Sequence, residues 1–174
     1  MKREPFSRVL QGGDRRSIGK SNQVAATVLR NPRQLPELIE CLWSDDPLIR
    51  MRAADAAEKV SLSKPDLLQS FKAELLGLAE EATQAELRWH LALMLPRLRL
   101  AAAERERART TLRRYLSDRS SIVKTWALQG MAELARGDAA LEAEMVDVLE
   151  RACRSGTPAM KARSRKLLKQ LQKP

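Results

Sequence analysis

The sequence predicts an all-α fold assembled from repeating helix pairs, and three observations carry that expectation. The chain holds 27 Leu and 24 Ala against 11 Val plus Ile, with aromatic residues at 3%, a balance that favours helix over strand. Four segments share one spacing: "IRMRAADAAEKV" from Ile49, "LRWHLALMLPRL" from Leu87, "VKTWALQGMAEL" from Val123 and "MKARSRKLLKQL" from Met160. Each opens on an apolar residue followed by a base (Arg50, Arg88, Lys124, Lys161), and these bases lie 38, 36 and 37 residues apart. Finally, each copy places small or apolar residues three or four and six or seven positions after its base, the stripe of an amphipathic helix.

The first 19 residues read as a basic, flexible arm. Within it "GGDRRSIGKS" ends in the Gly-Lys-Ser of a phosphate-binding loop, yet five residues separate Gly13 from Gly19 where four are required. No buried strand feeds it either, so a nucleotide loop is not expected. A helix then runs over 21–30, capped by Ser21 or Asn22 and stopped by Pro32. Helix pairs follow at about 33–60, 65–98, 101–136 and 139–172. "SDDP" joins the first pair, with an Asp positioned to cap and Pro47 in a tolerated first-turn position. Pro96 ends or kinks the second pair, Gly137 closes the third, and Thr157 caps the last helix. The stripes align as Ala53, Ala54, Ala57 and Val60; then Leu91, Ala92, Leu95 and Leu98; then Ala127, Leu128, Met131 and Leu134. The fourth copy puts Ser164 and Arg165 in its stripe, as expected of a terminal repeat with one face in water.

The segments "DDPLIRMRAADAA" and "DRSSIVKTWALQGMAEL" resemble the HEAT repeat, specifically the short bacterial type also found in phycobilin lyase subunits. In that family an Asp in the turn precedes a Val-Arg pair and an Ala-rich face. Asp46, Ile49, Arg50, Ala53, Ala54, Ala56 and Ala57 match it, as do Asp118, Val123 and Lys124. The second pair has "EEATQAE" in place of the Asp, which leaves the partner of Arg88 open. Over residues 20–172 the resemblance implies a right-handed α-solenoid of about four HEAT-like pairs plus an N-terminal helix. It also implies that Arg50, Arg88, Lys124, Asp46 and Asp118 tie adjacent turns together.

Net charge is +10, and the ends carry the excess. Residues 1–30 have seven bases against two acids, residues 151–174 eight bases and no acid, and residues 31–150 have 17 bases against 20 acids. Arg15, Arg16 and Lys20 in the arm are candidate contacts for an anion or an acidic partner. Arg105, Arg109 and Arg113 recur every fourth residue, as do Lys161, Arg165 and Lys169, giving two basic stripes for an acidic surface or a nucleic-acid backbone. The column two places after each base, Arg52, His90, Trp126 and Arg163, is the candidate binding face; a solvated face is the plain alternative.

Cys41 and Cys153 lack a second Cys or a His at ligand spacing and read as core thiols, so neither metal nor disulfide is expected. With one His and no nucleophile motif, no catalytic set can be assembled and no cofactor or small-molecule substrate is implied. The expectation is a cytoplasmic, non-catalytic interaction module that binds an acidic protein partner. Nucleic-acid binding is the alternative. A more distant one is an enzyme resembling the alkylpurine DNA glycosylases, for which Trp89, Trp126 and Asp55 are the residues to inspect; a lyase or cofactor-chaperone role, after the phycobilin lyase subunits, is another.

Overall fold

The computed structural model describes residues 4–14 and 16–171, which form ten α-helices and four short 3-10 segments with no strand among them. The chain divides into two compact units, the division falling between Ala73 and Glu74.

In the first unit, α1 is Phe6–Val9, α2 Ser21–Arg30, α3 Leu35–Glu40 and α4 Pro47–Ser63. Asp46 caps α4 by accepting from the Leu48 N–H at 2.8 Å, and Pro47 occupies the first turn, where its missing N–H costs nothing. The helix stops before Lys64, which precedes Pro65 and is pushed out of helical conformation. Its face of Ile49, Ala53, Ala54, Ala56, Ala57 and Val60 is buried against α2, α3 and the 3-10 turn Cys41–Trp43. The first helix of the pair expected at about 33–60 is broken into Pro32–Gln34, α3 and Cys41–Trp43, with Pro32 and Pro36 in the first turns.

Residues 4–14 and 16–19 depart from the expected flexible arm. Phe6 is 2% exposed and Leu10 wholly buried, and the Phe6 N–H donates to Glu37 Oε1 at 2.7 Å. The loop that follows is wound around Arg52. Its Nη1 donates to the carbonyls of Leu10 (2.8 Å) and Gly12 (2.5 Å), Nη2 to Asp14 (2.9 Å) and Nε to Ser17 (3.1 Å). Gly12, Gly13 and Gly19 all hold positive φ, and a Cβ on Gly19 would stand 2.8 Å from Arg52 Cζ. A Walker loop turns N–H groups toward an anion; this loop turns carbonyls toward a cation, the opposite polarity. Nor does Ser21 cap α2. It is fully buried and donates to Asp55 Oδ2 at 2.5 Å, which also pairs with Lys59.

Helix α5 (Lys72–Glu81) begins two residues before the division, and the second unit continues with α6 Ala85–Met94, α7 Ala102–Tyr115, α8 Ser121–Ala135, α9 Ala139–Ser155 and α10 Pro158–Leu171. Helix α8 is central, touching α6, α7, α9 and α10. Gly130 permits its close approach to α6, because a Cβ there would sit 2.4 Å from the Ala92 carbonyl oxygen. Pro96 turns the end of α6 into the 3-10 segment Leu95–Arg97. Asp138 caps α9 through the Ala140 and Leu141 N–H groups, both at 3.1 Å, after Gly137 reverses the chain at φ +79°.

All twelve stripe residues aligned from the first three repeats are buried. The fourth stripe corrects the expectation at one position. Arg165 is exposed, but Ser164 is wholly buried, because it falls three residues after Lys161, where the earlier copies carry Ala53, Leu91 and Ala127. Its hydroxyl has no hydrogen-bond partner among the described residues.

Removing the Arg52 clamp strands four carbonyls and frees the loop. Arg52→Ala is therefore expected to lower the unfolding free energy by about 3 kcal/mol or more in urea denaturation. Arg52→Lys should restore only part of it, since a point ammonium cannot span carbonyls that a planar fork reaches. Ser164→Ala removes an unpaired buried hydroxyl and should raise stability by up to about 1 kcal/mol in the same assay.

Candidate functional site

The repeat bases behave differently in each copy. Arg50 Nη1 donates to the carbonyls of Ser44 (2.7 Å) and Asp45 (3.2 Å) in its own turn. Arg88 reaches forward to the next turn: Nη1 meets Asp118 Oδ2 at 2.5 Å, while Nε donates to the Ala82 carbonyl at 2.6 Å. Asp118 also accepts from the Ser120 N–H at 2.7 Å, and Ser120 caps α8. The Arg88 guanidinium lies 5.5 Å from the centre of the Tyr115 ring, whose buried hydroxyl donates to the Ala79 carbonyl at 2.5 Å. Burial pushes the Tyr115 phenol up despite the pull of Arg88 and Arg114. Lys124 and Lys161 are half-buried, and their side chains make no hydrogen bond or ion pair among the described residues.

The two basic stripes have opposite fates. On α7, Arg109 is 8% exposed and bonded to Glu106 (2.6 Å) and Glu144 (2.8 Å); Arg113 also pairs with Glu144. Beside them Arg107 forks onto Glu80 at 2.5 and 2.7 Å, and this bonding holds the Glu80 carboxyl below the usual carboxylate range. The expected free stripe is thus corrected at Arg109 and Arg113, which brace α7 to α9, while Arg107, outside the stripe, braces it to α5. Arg105 stays exposed, because no acid on a neighbouring helix reaches it. On α10, by contrast, Arg165, Lys166 and Lys169 are exposed and without ionic partners among the described residues.

The column expected to face a partner splits in the same way. Arg52 and His90 are each 2% exposed and are withdrawn from it. Arg52 is inside its carbonyl clamp, and His90 is turned inward, with Nδ1 at 2.6 Å from the Glu86 carbonyl. Trp126 and Arg163 come together: the guanidinium carbon lies 4.3 Å from the ring centre, and Nη1 donates to Gln129 Oε1 at 3.1 Å. Gln129 is itself held by Glu133 at 2.5 Å. Trp89 joins them, its ring centre 6.4 Å from that of Trp126 with the planes at 28°. Trp89 lies one place before the column in its repeat and so fell outside it; the sequence singled it out beside Trp126 and Asp55, as a residue to inspect for a glycosylase-like site.

Of these, Trp126 and Arg163 border a groove of about 420 Å³ between α8 and α10. Ile122, Trp126, Ala159 and Ala162 make its apolar wall, with Ile122 54% exposed, and Arg163 and Lys166 supply its positive edge. Stacking on Trp126 holds the Arg163 fork in place, so the groove offers a pre-positioned cation beside apolar surface. Arg16 and Lys20 are exposed in the first unit, while Arg15 lies outside the described residues. Asp55 is engaged by Ser21 and Lys59. Among the described residues no three His, Cys, Asp or Glu side chains cluster as a metal site, and no helix is long and apolar enough to cross a membrane.

Of the cysteines, Cys41 is 6% exposed and Cys153 only half-buried. Burial, with smaller contributions from Glu37 and Glu40, pushes the Cys41 thiol up to about 11. The unfolded thiol loses its proton near its ordinary value of 9.0, so the stability this group contributes is complete below that pH and lost as pH rises through about 11. Alkylation with iodoacetamide at pH 8 should accordingly modify Cys153 first and Cys41 only as the protein unfolds, read by mass spectrometry of the peptides. No protein-family model matches the chain, and no curated protein matches it significantly.

Proposed function

We propose that the chain is a non-catalytic HEAT-like repeat module of the right-handed solenoid type, acting in the cytoplasm, that holds an acidic protein segment in the groove between α8 and α10. The repeat reading rests on bases spaced 38, 36 and 37 residues apart with aligned small-residue stripes. The observation that carries the binding reading is the apolar wall of exposed Ile122 and half-exposed Trp126 beside Arg163, Lys166 and the unpaired cations of α10. A segment that alternates carboxylates with apolar side chains satisfies both surfaces at once: the apolar anchors provide affinity, and the cations provide steering and register.

Two features favour protein over nucleic acid. Sequence-tolerant binding of single strands needs open aromatic faces for bases to stack on, and Trp126 already carries the Arg163 guanidinium over its ring. A backbone track needs contiguous free cations, and most of the α7 arginines are neutralised by Glu80, Glu106 and Glu144.

Fluorescence anisotropy with a labelled peptide of alternating Glu and Leu tests the reading. An all-Glu peptide and random single-stranded and duplex oligonucleotides serve as comparators. The Glu-Leu peptide should bind more tightly than the others, and Trp126→Ala and Arg163→Glu should each weaken it by about tenfold or more. Unchanged affinity in Trp126→Ala overturns the groove; oligonucleotides that bind more tightly, with a steep fall in log K against log salt, overturn the choice of partner.

A further inference from the structure

The pairing of Arg88 with Asp118 has no counterpart at the next turn. Arg88 follows Leu87 near the start of α6, and its carboxylate comes from two residues before the cap Ser120 of the following repeat helix. Lys124 follows Val123 at the corresponding place on α8. Two residues before the cap Thr157 of α10 stands Ser155, so the acid that would answer Lys124 is missing. Lys124 and Ser155 line one pocket of about 400 Å³ among α7, α8, α9 and α10. Glu144 also borders it, but both of its oxygens accept from arginines, Arg109 and Arg113. Two exposed cations also line the wall, Arg113, which is paired with Glu144, and Arg151. The rest of the lining is mainly aliphatic or thioether, including Leu128, Met131, Val148 and Met160.

We propose that this pocket binds a small amphipathic carboxylate, an aliphatic acid whose carboxylate takes the place of the absent aspartate opposite Lys124. A half-buried ammonium with no counter-charge gains most from a ligand that brings one, because a charge-assisted hydrogen bond in a partly dry site is among the strongest polar contacts. The pocket volume lies within the range of about 300–1,000 Å³ typical of small-molecule sites. Two methionines in the lining adapt to an unbranched chain without fixed shape demands. No aromatic ring lines the pocket, so the apolar body it suits is an alkyl chain rather than a ring that would stack. The pocket shares no lining residue with the Trp126 groove, so this assignment and the peptide reading fail independently.

Isothermal titration of the full chain with decanoate below its micellar concentration is the test, with decanol as the neutral analogue. Decanoate should bind saturably at one site and decanol at least about tenfold more weakly, the loss expected for one charged contact. Lys124→Met should cut decanoate affinity by a similar factor, and Ser155→Asp, which adds a carboxylate to the pocket wall, should do the same while preserving the far-ultraviolet helical signal. Equal binding of decanoate and decanol overturns the proposal, as does undiminished decanoate affinity in Lys124→Met. A Glu-Leu peptide that displaces decanoate at lower concentration than decanoate itself binds assigns the pocket to protein and overturns the small-acid reading.

Discussion

A cation drawn out of water must find oxygen atoms to replace its hydration, and the arrangement of this protein depends on how that demand is met at each repeat base and each arginine stripe. Arg52 meets it with backbone: four carbonyls from a Gly-rich loop converge on one guanidinium. Arg88 meets it with one carboxylate and one carbonyl. Arg109 takes two carboxylates from different helices. In each case the helix that carries the cation is fixed to an element distant in sequence, so side-chain electrostatics sets the register in which apolar stripes close.

That constraint explains why two stripes with the same four-residue spacing behave so differently. The acids that meet α7 lie on α5 and α9 and within α7 itself, so its arginines become bracing. Helix α10 contributes no acid of its own, and its outward cations meet none on the described neighbours. Its positive charge stays available, and it borders the apolar wall of exposed Ile122 and half-exposed Trp126. Surplus charge beside uncovered apolar surface is a costly combination for a surface with nothing to bind.

The stripes were legible because helical periodicity is local: a residue three or four places after the base faces the core whatever packs there, and Ala53, Leu91 and Ala127 are all buried. Ser164 followed the same rule, and its polarity was the wrong guide; position outweighed chemistry. Caps were legible for the same local reason at Asp46 and Thr157. The candidate site was legible in half. Trp126 and Arg163 were found by register, but the same register included Arg52 and His90, because a column of equivalent positions tracks helix phase and does not know what stands opposite.

By itself, then, the sequence determined the helical class, the period near 37 residues, the buried faces and most of the caps, since these follow from propensities and contacts within a few turns. Only the tertiary structure decided which cations are buried, braced or left open. Their partners lie 42 residues away for Arg52 with Leu10 and 30 residues away for Arg88 with Asp118. The stretch "GGDRRSIGKS" shows the physical reason most clearly. Its glycines permit a turn that could present either N–H groups or carbonyls, and the guanidinium of Arg52, brought to it by the packing of α4 against α2, is what the carbonyls face.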